Sequence, residues 1–147
     1  MPVNVLTEIL IDRPVAVVSA FAGDPLRVCD WYVNIRSVEA LTPPPFVVGS
    51  RVAFVAHFLG RQIAYTYEIR ELVPGERLVM STADGPFPME TTYTWAAEGT
   101  GTRMTLRNRG EPSGFAAITA PLMELMMRRA NTADLQKLKA VLEASAG

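Results

Sequence analysis

The stretch "VAFVAHFLGRQIAYTYEI", residues 52–69, decides the fold. Every second residue from Val52 to Phe58 is apolar, which matches the side-chain period of a β-strand. Gly60 and the arginine after it make a tight connection, and large side chains then return at every second position from Ile63 to Ile69. Two amphipathic strands joined by a short turn predict an antiparallel hairpin.

Three further strands follow this hairpin along the chain. The turn sequences "VPGE" (73–76), "DGPFP" (84–88) and "EGTG" (98–101) separate "RLVMSTA", "METTYTWAA" and "TRMTLRNRGE". Proline cannot donate to a strand ladder, so "GPFP" interrupts the β pattern where the chain reverses. Strands in succession with short turns predict an antiparallel meander.

The N-terminal part of the chain predicts a strand and then a helix. The segment "VNVLTEILID" (3–12) is rich in β-branched residues, as strands are. Asp12 is suited to cap a helix whose first turn contains Pro14. Apolar residues recur at helical spacing from Val15 to Phe21, and "GDP" ends this element.

A second short element and one more strand precede the hairpin. The segment "PLRVCDWYVN" (25–34) predicts a short helix or a turn. The segment "IRSVEALT" (35–42) predicts a strand that ends at "PPP", with Ile35 on one face and Val38 on the other.

After the last strand the apolar period changes to that of a helix. The helical pattern runs from Ser113, a plausible cap, almost to the end of the chain. Pro121 either kinks this helix or marks its true first turn. The first half is apolar around much of its circumference, which predicts burial on more than one side. The residues at helical spacing are Leu122, Leu125, Met126, Leu135, Leu138 and Leu142.

The order of elements predicts an α+β fold. A curved antiparallel sheet of about seven strands packs its concave side on one long C-terminal helix, and two short helices follow the first strand. We expect residues 1–147 to form a single domain, since this length suits one hydrophobic core.

Composition and charge exclude several classes of function. The formal net charge of -1 gives no field that attracts nucleic acid. The single cysteine and the single histidine form no disulfide and no Cys/His metal cluster. No apolar run approaches the roughly 20 residues of a membrane span, and "MPVNVLTEIL" lacks the basic start of a signal peptide. We therefore expect a cytoplasmic protein without metal or other cofactor; a homodimer stays open.

The whole pattern resembles the START/Bet v 1-like (SRPBCC) superfamily, and within it the polyketide cyclase/dehydrase-like group. The resemblance rests on "IDRPVAVVSAFAGDP", Trp31, "VGSRV", "YEIRELVPGERL", "GPFPMETTYTW", "GTRMTL" and "RRANTADLQKLKAVLE", in this order. It covers the chain from about Val3 to Glu143. The resemblance implies the helix-grip fold, with a cavity between sheet and helix that holds apolar molecules. The superfamily shares no catalytic motif, so no catalytic residue is transferred.

Large side chains on the face of the sheet towards the helix are the candidate lining of this cavity. Aromatic rings and thioethers suit apolar ligands, although the same residues also serve as ordinary core. Trp31 and Tyr32 are candidates for a lid over the entrance, with Trp31 alternatively a core anchor. Asn108 is a candidate polar group deep in the cavity or at its mouth. The candidate ligand-binding residues are Trp31, Phe54, Phe58, Tyr65, Tyr67, Tyr93, Trp95, Met104, Asn108, Met123 and Met127.

Few side chains offer acid–base chemistry in such a cavity. The weak catalytic candidates are Tyr65, Tyr93, His57 and Glu90. Strict alternation with Phe58 places His57 on the outer face of its strand, and Glu90 is likewise out of phase with Tyr93. A bulge would reverse the placement of His57.

Two functions follow from these residues. We expect the binding of a hydrophobic small molecule of lipid, polyketide or aromatic type. The alternative is a polyketide cyclase/dehydratase-like enzyme that uses tyrosine, histidine or glutamate as acid or base. An interaction protein has no support beyond the edges of the sheet. A cavity lined by at least two convergent polar groups, one of them titratable, would favour the enzyme.

Overall fold

Seven strands form one antiparallel sheet in the computed structural model, which describes residues 3–58, 60–85, 87–111 and 119–145. The order across the sheet is β1-β7-β6-β5-β4-β3-β2, so the predicted meander from β3 to β7 is confirmed and β1 joins beyond β7. The strands are β1 (Val3–Ile11), β2 (Ile35–Ala40), β3 (Arg51–Phe58), β4 (Arg61–Val73), β5 (Arg77–Asp84), β6 (Met89–Glu98) and β7 (Gly101–Gly110).

The described residues also form three helices: α1 (Val15–Ala22), a 3₁₀ helix (Pro25–Asp30) and the long α2 (Ala120–Ala144). Pro121 lies in the first turn of α2 and therefore marks the start of the helix, the second of the two alternatives. The proposed cap Ser113 lies outside the described residues. In the part of the chain that the structure describes, no helix is long and apolar enough to cross a membrane.

A bulge in β2 corrects the predicted faces of this strand. Ile35 lies opposite Ala56 and Ser37 opposite Val55, so one extra residue is accommodated between the two pairs. The bulge reverses the alternation, and Ile35 and Val38 both pack against the hydrophobic core instead of lying on opposite faces.

Side chains of α2 cover the free edge of β1. The guanidinium of Arg128 donates to the carbonyl oxygen of Leu6 at 2.8 Å, and the ammonium of Lys139 donates to that of Leu10 at 3.0 Å. An uncovered edge strand would expose these backbone groups to pairing with other chains. The helix is therefore fixed along β1, and its inner face is directed at the concave side of the sheet.

The two halves of α2 differ in their burial. Leu135, Leu138 and Leu142 lie in the core, at 1%, 0% and 3% exposure. In the first half Met123 is buried, whereas Leu122 and Leu125 are 47% and 46% exposed. The expectation of burial on more than one side is wrong for these two leucines, because the sheet covers only the Met123 side of the helix.

Candidate functional site

A cavity of about 160 Å³ lies between the sheet and α2. This volume is close to the roughly 150 Å³ of an apolar protein cavity that accepts benzene. Most of its wall is apolar, and it comes from the sheet, the turn before β6 and the first half of α2. The apolar lining includes Phe54, Ala56, Phe58, Ile63, Met80, Phe87, Met89, Met123 and Met127.

Most of the predicted ligand-binding residues lie around this cavity. Alternation along the strands brings them there: Phe54 pairs with Tyr65 across β3 and β4, and their rings stack with centroids 5.4 Å apart. Tyr67 lies on the same face, 5.0 Å from the Tyr65 ring. The predicted residues that line the cavity are Phe54, Phe58, Tyr65, Tyr67, Tyr93, Asn108, Met123 and Met127.

Three predicted residues do not line the cavity. Trp31 is fully buried in the core, with its ring 4.3 Å from that of Tyr32, so it is an anchor and not a lid. Trp95 and Met104 form a cross-strand pair on the expected face of the sheet. They lie in the core cluster that also contains Leu138, which fills that end of the space between sheet and helix. The alternation of side chains along a strand predicts which face of the sheet a residue lies on, but it does not predict where on that face the residue lies.

A chain of three hydrogen-bonding groups crosses one wall of the cavity. The Thr91 hydroxyl donates to Asn108 Oδ1 at 2.8 Å, across paired positions of β6 and β7. Since a threonine hydroxyl has one proton, the 2.8 Å bond between Thr91 and Tyr67 must have the Tyr67 hydroxyl as donor. Burial raises the pKa of Tyr67 to about 12. Its proton is therefore engaged within the wall.

A second polar group lies on the wall near the 3₁₀ helix. The hydroxyls of Tyr32 and Tyr93 are 2.6 Å apart, and burial raises the pKa of both. Asp134 of α2 lines the cavity beside them and accepts the backbone N–H of Val33 at 2.9 Å. Burial raises the pKa of this carboxyl group to about 6, against the lowering effect of that hydrogen bond and of Lys137.

Two polar side chains on the wall have no hydrogen bond within the described part of the chain. Asn131 is 5% exposed and lines the cavity, and its Nδ2 is buried without a partner. The Tyr65 hydroxyl likewise has no partner among residues 3–58, 60–85, 87–111 and 119–145. Burial raises the pKa of Tyr65 well above its ordinary value, so this hydroxyl stays a neutral donor.

The two other catalytic candidates lie away from this polar lining. His57 is exposed and reaches the cavity only at its rim. Glu90 does not line the cavity; its carboxylate accepts a hydrogen bond from Arg109 at 2.6 Å on the surface. His57 and Glu90 are therefore not among the buried polar groups of the cavity wall.

The sequence interpretation missed Asn131 and Asp134, and it placed Tyr32 only in a candidate lid. The signal for Asn131 and Asp134 was present, since both continue the inner stripe of α2 between Met127 and Leu138. Polar residues at positions that helical spacing assigns to the core are candidates for a binding site. Tyr32 gave no such signal, because its partner Tyr93 is 61 residues away.

Residues 2–143 match the family described as "Polyketide cyclase / dehydrase and lipid transport". The chain belongs to this polyketide cyclase/dehydrase and lipid transport family. Among curated proteins, no match to this chain is found. The family joins polyketide enzymes with lipid transport, and both deal with apolar molecules.

Several solved structures share the fold of this chain. A Thermus thermophilus protein is 23% identical, with a TM-score of 0.83, and the match covers 98% of this chain and 99% of that one. A START superfamily protein from Mycobacterium smegmatis is 12% identical, with a TM-score of 0.81 over 96% and 97%. An aromatase/cyclase from a Streptomyces species is 17% identical, with a TM-score of 0.78 over 97% and 94%. The fold is the helix-grip fold.

Proposed function

We propose that this protein binds a hydrophobic small molecule of lipid, polyketide or aromatic type in the cavity between the sheet and α2. The observation that supports this proposal is the cavity itself, which is mainly apolar and has polar groups at a few defined positions. The family description, which combines polyketide chemistry with lipid transport, agrees with such a ligand. A cytoplasmic location stays a prediction.

The lining suits an aromatic or flat apolar molecule. The stacked rings of Phe54 and Tyr65 offer a face for ring packing from the sheet side. Met123 and Met127 lie on the opposite wall, and their flexible thioethers adapt to irregular shapes. Transfer of the ligand from water to this wall contributes about 25 cal/mol for each Å² of apolar surface buried.

Native mass spectrometry of freshly purified protein tests this proposal, with a pair of matched variants. Ala56 lines the cavity, and Ala64 is an exposed residue of the neighbouring strand β4. We expect wild type and Ala64→Phe to carry an apolar adduct that is lost on denaturation, and Ala56→Phe to lack it because the added ring fills the space. Equal adduct in both variants would place the molecule elsewhere, and no adduct on any of them would count against a resident ligand.

A second candidate function is acid–base catalysis on a polyketide-like or aromatic ketone. The observation that favours it is Asp134, whose raised pKa, about 6, is close to neutrality. As a carboxylate it would remove a proton from the carbon next to a carbonyl group. The Tyr32–Tyr93 pair would donate a hydrogen bond to the enolate oxygen that forms. Enolisation of this kind is a first step of cyclisation and dehydration.

Exchange of the α-protons of cyclohexanone in heavy water, followed by NMR, tests the catalytic candidate. Deuterium enters only if a base removes the proton and solvent returns a deuteron to the same carbon. Catalysis predicts exchange faster than in buffer that is lost in Asp134→Asn and retained in Glu90→Gln. Binding of cyclohexanone without faster exchange would leave binding alone as the function.

A further inference from the structure

One region of the cavity wall is polar in a way that the apolar ligand proposal does not use. Asn131 and Asp134 are three residues apart on α2, so their side chains are neighbours on one face of the helix. Both line the cavity, and they are 5% and 2% exposed. The pair therefore faces the bound molecule and has little access to bulk solvent.

Among the described residues, the hydrogen-bonding capacity of this pair is only partly used. Asn131 Nδ2 is buried without a partner, and its whole amide group has no hydrogen bond among the described residues. Asp134 Oδ1 accepts the Val33 N–H, and Oδ2 has no hydrogen bond within that same part of the chain. A buried polar group without a partner is costly, so a ligand atom that pairs with it gains affinity.

We infer that Asn131 and Asp134 form a subsite that selects ligands ending in a hydroxyl group. A hydroxyl oxygen accepts one hydrogen bond and donates one, so it accepts from Asn131 Nδ2 and donates to the free oxygen of Asp134. An ether or carbonyl oxygen accepts only, and a methyl group does neither. The inference rests on the proposed function, because it concerns the ligand of the same cavity.

The hydrogen-bonding groups of the neighbouring tyrosines are used to a greater extent than those of the α2 pair. The hydroxyls of Tyr32 and Tyr93 hydrogen-bond to each other at 2.6 Å, which leaves one O–H of the two as a donor, and the Tyr67 proton is directed to Thr91. The Tyr65 hydroxyl has no partner among the described residues, but it lies on the sheet wall, where its ring packs on Phe54. The apolar body of the ligand therefore extends along the sheet from a hydroxyl held at α2.

Three probes of similar size separate the possibilities in calorimetric titrations of the full chain. Phenol donates and accepts a hydrogen bond, anisole accepts only, and toluene does neither. Asn131→Ala removes the subsite amide without breaking a hydrogen bond of the described residues, and alanine favours the helix. Gln136→Ala is the control, since Gln136 carries an exposed amide on the same helix and does not line the cavity.

The expected result is a change in affinity ratios. The ratio of phenol to toluene affinity falls about tenfold in Asn131→Ala, as expected for one or two lost hydrogen bonds, and stays unchanged in Gln136→Ala. Because Asn131 has no partner in the described part of the chain, we expect the thermal midpoint of Asn131→Ala to be no lower than that of wild type.

Asp134→Asn provides a second and opposite readout. The Val33 N–H keeps the new amide oxygen as its acceptor, so the amide nitrogen takes the place of the free carboxylate oxygen. The subsite then has two hydrogen-bond donors. We therefore expect the ratio of anisole affinity to phenol affinity to rise by several fold. A merely structural role would lower the affinities of all three probes together.

The outcomes separate this inference from the proposed function. If toluene binds and the phenol-to-toluene ratio is unchanged in both Asn131→Ala and Asp134→Asn, the subsite is wrong and the apolar cavity stands. If none of the three probes binds to wild type, both proposals fail.

Discussion

Asp134 Oδ1 accepts a hydrogen bond of 2.9 Å from the backbone N–H of Val33 and so connects the middle of α2 to the segment between the 3₁₀ helix and β2. The same helix is fixed on its other side to β1 through Arg128 and Lys139. The cavity lies between the contact of Asp134 with Val33 on one side of α2 and the contacts of Arg128 and Lys139 with β1 on the other. A buried carboxyl group is thus both a structural link and part of the cavity wall.

The first prediction concerns the cost of this buried carboxylate. Its folded pKa, about 6, exceeds the ordinary value of 3.8, so the folded protein binds a proton more tightly than the unfolded chain does. The contribution of Asp134 to the free energy of unfolding therefore falls as pH rises from about 4 to about 6 and is level above that range. The groups that face Asp134 are the neutral Tyr32 and Tyr93, the Val33 N–H and the cation Lys137.

We expect Asp134→Asn to raise the free energy of unfolding by about 1–3 kcal/mol above pH 7, and by little near pH 4. Urea unfolding of both proteins at a series of pH values measures this difference. Glu143→Gln is a suitable control. The pKa of this surface carboxylate is lowered, so the loss of its charge should destabilise the protein at neutral pH. A pH-independent difference for Asp134→Asn would contradict the account.

The second prediction concerns the tyrosines. Burial raises the pKa of all four: Tyr32, Tyr65, Tyr67 and Tyr93. At about pH 11 an ordinary tyrosine is mostly ionised, but we expect the folded protein to show little tyrosinate absorbance. Because the unfolded chain loses these protons first, the free energy of unfolding should fall as pH rises above 10. A tyrosinate transition near pH 10 in protein that is still folded by circular dichroism would be inconsistent with these raised pKa values.

The third prediction concerns the hydrogen-bonded chain of Tyr67, Thr91 and Asn108. Thr91→Val keeps the shape of the side chain but leaves the Tyr67 proton and Asn108 Oδ1 without their partner. We expect a loss of about 1–3 kcal/mol in the free energy of unfolding. Thr92→Val is the matched control on the same strand, since the Thr92 hydroxyl has no hydrogen bond among the described residues. Equal losses of unfolding free energy in the two variants would show that the hydrogen bonds of Thr91 add nothing to stability.

Most of the fold could be predicted from the sequence, because the patterns that determine it are local. Alternation in residues 52–69 and the turns after each strand determine the meander, and the stacked pair of Phe54 and Tyr65 follows from that alternation. The bulge that places Ile35 and Val38 together is not visible in the pattern, because it depends on pairing with β3.

The site was less accessible to sequence reasoning because it depends on contacts between distant segments. Trp95 and Met104 have the predicted face but lie at the end that Leu138 closes. Asp134 and Asn131 were visible as polar residues on an apolar stripe, whereas the contact of Tyr32 with Tyr93 needed the three-dimensional structure.

The methionines allow the most direct test of the central claim, that an apolar molecule enters the space between sheet and helix. Methyl NMR spectra of the protein, titrated with toluene, report on each methionine separately. We predict shifts for the cavity-lining Met80, Met89, Met123 and Met127, and none for Met104, which is fully buried in the core away from the cavity. Unchanged methyl signals of the four lining residues at saturating toluene would contradict the account.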